Sequence, residues 1–293
     1  MPWMRSGICQ VFFGIQFRLM ELNTGSHRID GFLMSLNFTE FGAVLCDLDG
    51  VITQTARLHA AAWKRLFDDY LQEVAVRTGS PFKPFDLSED YRVYVDGKPR
   101  HEGVRDFLVS RGVNLPSGTP SDGPSHETLY GLGQRKDTHF KVALHETGVV
   151  AYPNTVTFLH LARSRGLKMA VVSSSHHCAE ILEIVGLSSL FDVRVDGHEI
   201  DRLHLAGKPA PDSFLEAARR LAVEPRHGIV IEDALAGVQA GHAGGFGLVI
   251  GVDRHNQAHA LRKQGADIVV GDLGELLSTL VHSEGPSRPP VHM

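Results

Sequence analysis

Between Phe41 and Val270 short apolar runs alternate with stretches whose apolar residues recur every three or four positions. The first run, Ala43–Cys46, has the length of a buried parallel strand. After Thr55 the spacing changes, and Leu58, Ala61, Ala62, Leu66 and Tyr70 fall on one face of a helix. Residues 80 to 147 show no strand alternation. Helical spacing covers 102–111 and 127–146 instead, separated by the Pro/Gly/Ser stretch SGTPSDGPS. Apolar runs resume at 167–172, 192–195, 228–231, 246–250 and 268–270, with helices ending near Val185 and Ala222. Strands alternating with helices predict an α/β fold with a doubly wound parallel sheet. A helical insertion follows its first strand.

The chain is long enough, at 293 residues, for a core plus that insertion. Its 43% hydrophobic and 22% charged residues are those of a soluble globular protein. A net charge of −5 leaves no basic footprint for nucleic acid. Cys9, Cys46 and Cys178 lie far apart without a CxxC, so neither a disulfide framework nor a zinc site is indicated. A reducing cytoplasm fits. Residues 1–38 contain VFFGIQF, far shorter than the ~18 residues of a membrane span. Arg5 precedes that run, no small-residue cleavage site follows, and Arg18 interrupts it. This segment reads as a poorly ordered extension, with an upstream start assignment in view of Met20 and Met34. The Pro/Ser-rich residues 284–293 read as a loose tail.

The chemistry gathers at strand ends. Asp47 and Asp49 follow the first strand two residues apart, so their carboxylates converge where ligands of open α/β sheets bind. Crowded carboxylates call for a cation, and a hard ion such as Mg²⁺ prefers oxygen ligands. The plain alternative is a strand entering an Asp-Gly turn. Ser173, ahead of Ser174 and Ser175, stands between a strand and a helix, where a hydroxyl and helix N–H groups suit an oxyanion or simply cap the helix. Lys208 opens Lys-Pro-Ala-Pro-Asp and can stabilise a transferring phosphoryl group, though a lone Lys-Pro is usually solvated. Glu232 and Asp233 end an apolar strand, where two acids are costly unless they hold a cation or hydrogen bonds.

These four motifs, with Thr55, His59 and Trp63 after DLDGVIT, resemble the haloacid dehalogenase superfamily of aspartate-nucleophile phosphotransferases. The segment looks most like its β-phosphoglucomutase group. The resemblance runs from Phe41 to Leu280 and is weakest in the insertion, which is similar to the family's small cap domain. It implies a Rossmann-like core of residues 39–56 and 150–283 with a helical cap of residues 57–149. It also implies that Asp47 is the nucleophile and Asp49 the general acid/base, with Ser173 and Lys208 on the transferring group. Mg²⁺ would be held by Asp47, the Asp49 carbonyl, Glu232 and Asp233. Gln54 departs from the family's aspartate between the two threonines.

In the cap, Arg100 aligns with the family's phosphate-gripping arginine, while the family's lysine falls on Asp96 with Lys98 nearby. Gly133–Asp137, GQRKD, also resembles the cap. On the core side the family's Ser, Lys and Asn become Ser175, His176 and His177. The substrate-facing set implied is Arg100, Lys98, Thr55, His59, Ser174, Ser175, His176 and His177, with the His59 imidazole coupling cap closure to Asp49. The expected function is interconversion of β-glucose 1-phosphate and glucose 6-phosphate by a cytoplasmic monomer with no membrane or nucleic-acid partner. A sugar-phosphate phosphatase of the same fold, with a trehalose-phosphate-like substrate, is the alternative. A non-catalytic sugar-phosphate sensor would be expected to have lost Asp47, Lys208 or an acid of the 232–233 pair, and none is lost.

Overall fold

The structure, a computed structural model, describes residues 37–282. The tail and all but the last two residues of the expected N-terminal extension lie outside the described residues. Those two residues are part of the fold: Asn37 Oδ1 accepts the Thr39 N–H at 3.1 Å, and Phe38 is buried edge-on to Phe158. Six strands form one parallel sheet: β1 Ala43–Cys46, β2 Lys168–Val172, β3 Val193–Val195, β4 Gly228–Glu232, β5 Leu248–Val252 and β6 Ile268–Val270. Their order is β3-β2-β1-β4-β5-β6, so β1 is central and lies where the winding reverses. Cys46 pairs with Val171 on one side and Ile231 on the other. That register brings the residues just after β1 and β2 and at the end of β4 to one edge, the usual ligand crevice of such sheets.

The helices are α1 Ala56–Thr78, α2 Arg100–Ser110, α3 Leu129–Thr147, α4 Pro153–Ser164, α5 Cys178–Ile184, α6 Gly197–Leu203, α7 Asp212–Leu221, α8 Leu235–Ala243, α9 Ala258–Lys263 and α10 Leu277–His282. Helices α1 to α3, with a π-type turn at Tyr91–Val95, form the insertion. Its interior is aromatic. Phe67 meets Trp63, Phe85 and Phe107 with ring centroids at 5.2, 5.1 and 4.1 Å. The insertion leaves and rejoins the sheet through paired linkers, with Gln54 N–H on the Val150 carbonyl and Tyr152 N–H on that of Ile52, both at 2.9 Å. No helix of the described residues is long and apolar enough to cross a membrane.

The predicted elements stand, with shifted bounds. α3 starts at Leu129 rather than 127 because Thr128 caps it, accepting the Gly131 N–H at 3.0 Å. β5 was expected at 246–250 and lies two residues later. Phe246 instead turns sideways, its ring filling the space a Cβ on Gly228 or Gly244 would occupy, and Gly251 lets the strand continue close against Leu261 and Ala266. Short α6 and α9 carried too few apolar repeats to be read from spacing. Asp196 caps the first of these, accepting the Glu199 N–H at 3.1 Å.

Candidate active site

The strand register delivers Asp47, Asp49, Ser173 and Asp233 to one chamber, which the insertion lines with Asp96, Arg100, Lys136 and Asp137. Asp47 is 6% exposed and fixed from both sides. The N–H of Asp49 donates to its Oδ2 at 2.8 Å, and the Lys208 ammonium donates to its Oδ1 at 2.6 Å. Lys208 is buried, bonded also to Glu232 Oε1 at 2.6 Å and the Val172 carbonyl at 3.2 Å. Burial works against the ammonium, but Asp47 and Glu232 outweigh it and hold it charged. Burial drives the Asp47 carboxyl well above its ordinary range; Lys208 opposes that, while Glu232 and Asp49 reinforce it.

Glu232 has both oxygens engaged, Oε1 by Lys208 and Oε2 by the N–H groups of Asp233 and Ala234 at 3.0 and 3.1 Å. It braces the cluster. Asp233 is different: among the described residues no lysine or arginine reaches ion-pairing distance of it. Burial, then Asp96 and Glu232, push its carboxyl far above the usual value. Oxygens of Asp47, Glu232 and Asp233 lie within 4.8 Å of one another. This dry, all-oxygen, under-neutralised set fits a hard divalent cation. Gly50 permits the approach, since a Cβ there would lie 1.8 Å from an Asp233 oxygen and its φ is +91°.

Asp49 sits in a separate electrostatic setting. The Thr55 hydroxyl donates to its Oδ1, Ser173 Oγ donates to Oδ2 at 3.3 Å, and His59 Nε2 lies 3.2 Å from Oδ1. On the far side of the ring, the Lys136 ammonium donates to His59 Nδ1 at 2.6 Å, which puts the ring proton on Nε2, facing Asp49. Burial alone would raise the Asp49 carboxyl; His59 and Thr55 outweigh it and bring it to about 2. Burial, then Arg100, pulls Lys136 down to about 7. Burial and Lys136 lower His59, while Asp49 opposes them. Thr55 thus serves Asp49 from outside the chamber, whereas His59 both faces Asp49 and lines the chamber.

The other cap and rim residues divide. Arg100 bonds Asp137 Oδ1 and His176 Nδ1, both at 3.0 Å. His177 bonds Asp137 Oδ1 at 2.7 Å, and Ser174 Oγ donates to the Gly97 carbonyl at 2.9 Å. Ser175 lines the chamber and takes the His177 N–H on its hydroxyl at 3.2 Å. Lys98 touches the chamber, but its ammonium is on Asp106 at 2.9 Å and the Val93 carbonyl at 3.3 Å, turned into the cap. Lys136 and Asp137 were not singled out from the sequence, although both stand in the GQRKD motif.

Lys136 offers a test of this network. It is 5% exposed and costs stability as a buried cation, partly offset by the Trp63 and Phe140 rings at 5.1 and 5.0 Å. Its folded value of about 7 lies below the ordinary 10.5, so the penalty is full below pH 7 and shrinks as pH rises between the two. Lys136→Met is expected to lower turnover on the order of tenfold to a hundredfold by misaligning His59 and Asp49. Its melting temperature should not fall, and any gain should be larger near pH 6 than near pH 9. A Met variant that melts lower at both pH values, with wild-type turnover, would remove Lys136 from the network.

Comparisons with known proteins agree with this geometry. Residues 41–245 match the family of haloacid dehalogenase-like hydrolases. A β-phosphoglucomutase of Mycobacterium bovis is 50% identical over 238 residues, covering 80% of this chain and 91% of that protein. A phosphorylated carbohydrates phosphatase of Thermotoga maritima is 26% identical over 231 residues, 78% of this chain and 93% of that one. The crystal structure of a β-phosphoglucomutase from Clostridium difficile superposes with a TM-score of 0.64 at 25% identity, covering 83% of this chain and 96% of that one.

Proposed function

The chain belongs to the haloacid dehalogenase-like hydrolase family, and from that premise we propose that it moves a phosphoryl group between positions of a sugar phosphate, interconverting β-glucose 1-phosphate and glucose 6-phosphate. The observation that carries this reading is Arg100. A guanidinium fork shares a chamber with Asp47, where a mutase must grip one phosphate while the other reacts. The β-phosphoglucomutase of Mycobacterium bovis, half identical, supports the same choice.

An oxygen of Asp47 attacks phosphorus; the new bond is aspartyl O–P, and the bond broken is phosphorus to sugar oxygen. Asp49 gives that oxygen its proton and recovers one from the next acceptor hydroxyl. Because Asp49 is held near 2, it is ionised at neutral pH. A cycle that begins with a phosphorylated Asp47 and Asp49 acting as base therefore suits the resting enzyme. Lys208 fixes the orientation of Asp47 and brings positive charge to the transferring group, and Ser173 supplies a hydroxyl beside it. Asp47 and Asp233, with the Asp49 carbonyl, would hold Mg²⁺ and Glu232 would brace them. When bound, the ion neutralises negative charge at the reacting centre. The cap residues keep water from the aspartyl-phosphate.

Asp96, His176 and His177 replace a lysine, a lysine and an asparagine of the β-phosphoglucomutase pattern, and that substitution favours a phosphatase as the second reading. Phosphorus NMR with β-glucose 1-phosphate, Mg²⁺ and trace glucose 1,6-bisphosphate separates the two. Glucose 6-phosphate is the expected product, and inorganic phosphate as main product would give the phosphatase. Arg100→Ala is expected to cut isomerisation about a hundredfold while slow hydrolysis of a small phosphoryl donor survives. Arg100→Lys should recover only part of it, since a point charge replaces the fork. Equal glucose 6-phosphate formation by wild type and Arg100→Ala would sink the assignment.

A further inference from the structure

Arg100 and Ser174 form a wall with a chamber on each side. One is the chamber of Asp47 and Asp49; the other has no role in the chemistry above. Its surface is of a particular kind. Tyr130 and His101 lie stacked, ring centroids 5.0 Å apart and planes within 15°, against Pro99 and Ile200. Gln134 is also in the lining, and Asp201 stands exposed at the mouth.

The charges there are already matched. Arg100 is the cation assigned above to the phosphate of the Asp47 chamber, and on this side Asp201 lies 2.9 Å from His176 Nε2. An anion or a cation would therefore enter without a counter-charge. The neutral polar groups are unspent: among the described residues neither the Tyr130 hydroxyl nor the Gln134 side-chain amide is bonded within the protein. Apolar ring surface bordered by unspent hydroxyl and amide groups suits a molecule with an apolar C–H face and a rim of hydroxyls.

The geometry points to a second binding site in this chamber, for an uncharged pyranose ring. The ring has two sources, a free sugar or the unphosphorylated unit of a disaccharide phosphate whose other unit occupies the Asp47 chamber. In the second case the inference rests on the sugar-phosphate reading; in the first it does not. Tyr130 provides the stacking face and Gln134 and Asp201 take the hydroxyls. Neither Tyr130 nor Gln134 lines the chamber of Asp47, so the site can be altered without touching the reacting groups.

The test has two arms, each run on wild type, Tyr130→Ala, Tyr130→Phe and Gln134→Ala. In the first, free glucose and maltose are titrated and followed by saturation-transfer difference NMR, with and without saturating β-glucose 1-phosphate. In the second, kcat/KM is measured for maltose 1-phosphate and trehalose 6-phosphate beside β-glucose 1-phosphate. In one arm or the other, Tyr130→Ala is expected to lose about tenfold, with Tyr130→Phe retaining most of the wild-type value. The value for β-glucose 1-phosphate should stay within about twofold. A loss confined to the first arm, undisplaced by β-glucose 1-phosphate, identifies a free-sugar site; a loss confined to the second identifies an extended substrate. No response to Tyr130→Ala or Gln134→Ala in either arm overturns the inference. Should wild type turn over no sugar phosphate, the functional reading fails alone, because free-sugar binding is read without turnover.

Discussion

Asp47→Asn is expected to abolish phosphoenzyme formation and to reduce turnover on the order of 10⁴-fold or more. The change is isosteric, but a neutral amide oxygen is a far poorer nucleophile than a carboxylate and offers less to a divalent cation. The fold should survive, because Lys208 keeps Glu232 and the Val172 carbonyl as partners. One buried cation then faces one carboxylate rather than two, so a modest change in melting temperature is expected. The measurement is intact-mass analysis after incubation with a phosphoryl donor and acid quenching. Wild type should carry one added phosphate and the variant none. A phosphorylated Asp47→Asn protein would place the nucleophile elsewhere.

Asp49→Asn should lower turnover ~10²–10⁴-fold, the range for loss of a general acid/base. Here the phosphoenzyme should still be detectable with a donor whose leaving group needs no proton, which separates the two aspartates. Stability adds an independent readout. The Asp49 value falls from the ordinary 3.8 to about 2 in the folded protein, so it contributes stability that is present above pH 4 and lost as pH falls through 2. Wild type should therefore melt higher than Asp49→Asn at neutral pH, and the gap should close towards pH 2. A turnover loss below tenfold, or a gap that does not depend on pH, would show that Asp49 is not the group described.

The sheet and the groups at its edge were legible because each signal is local. An apolar run followed by Asp47-Leu48-Asp49-Gly50, or by Glu232-Asp233, states strand and chemistry within a few residues. The sheet register then does the rest, with no further information needed. The environment of Asp49 was only half legible. His59 could be placed near it, but the ammonium behind His59 comes from 77 residues away, from a helix whose facing depends on the cap's packing. Lys98 illustrates a second limit of spacing. Its position beside Arg100 suggested a shared target, yet Asp106, two turns along α2, lies beneath it and takes the charge. Short-range spacing fixes which residues are near one another in the chain; it does not say which of two neighbours turns outward.

The hydrogen-bonded linkers also bear on how the chain folds. β1 must find β2 across the whole insertion, an expensive loop to close from a random coil. The insertion's aromatic cluster, however, draws only on its own residues, from Trp63 to Leu132. Once it collapses, Gln54 can reach Val150 and Tyr152 can reach Ile52, and the ends of β1 and β2 arrive together. Replacing a long flexible loop by two short ones lowers the closure cost on the order of 1 kcal/mol. The cap would then help to assemble the sheet as well as cover the chamber. Phe107→Leu, in that cluster, is expected to slow refolding of the core in stopped-flow fluorescence, and an unchanged rate would place cap collapse after the sheet.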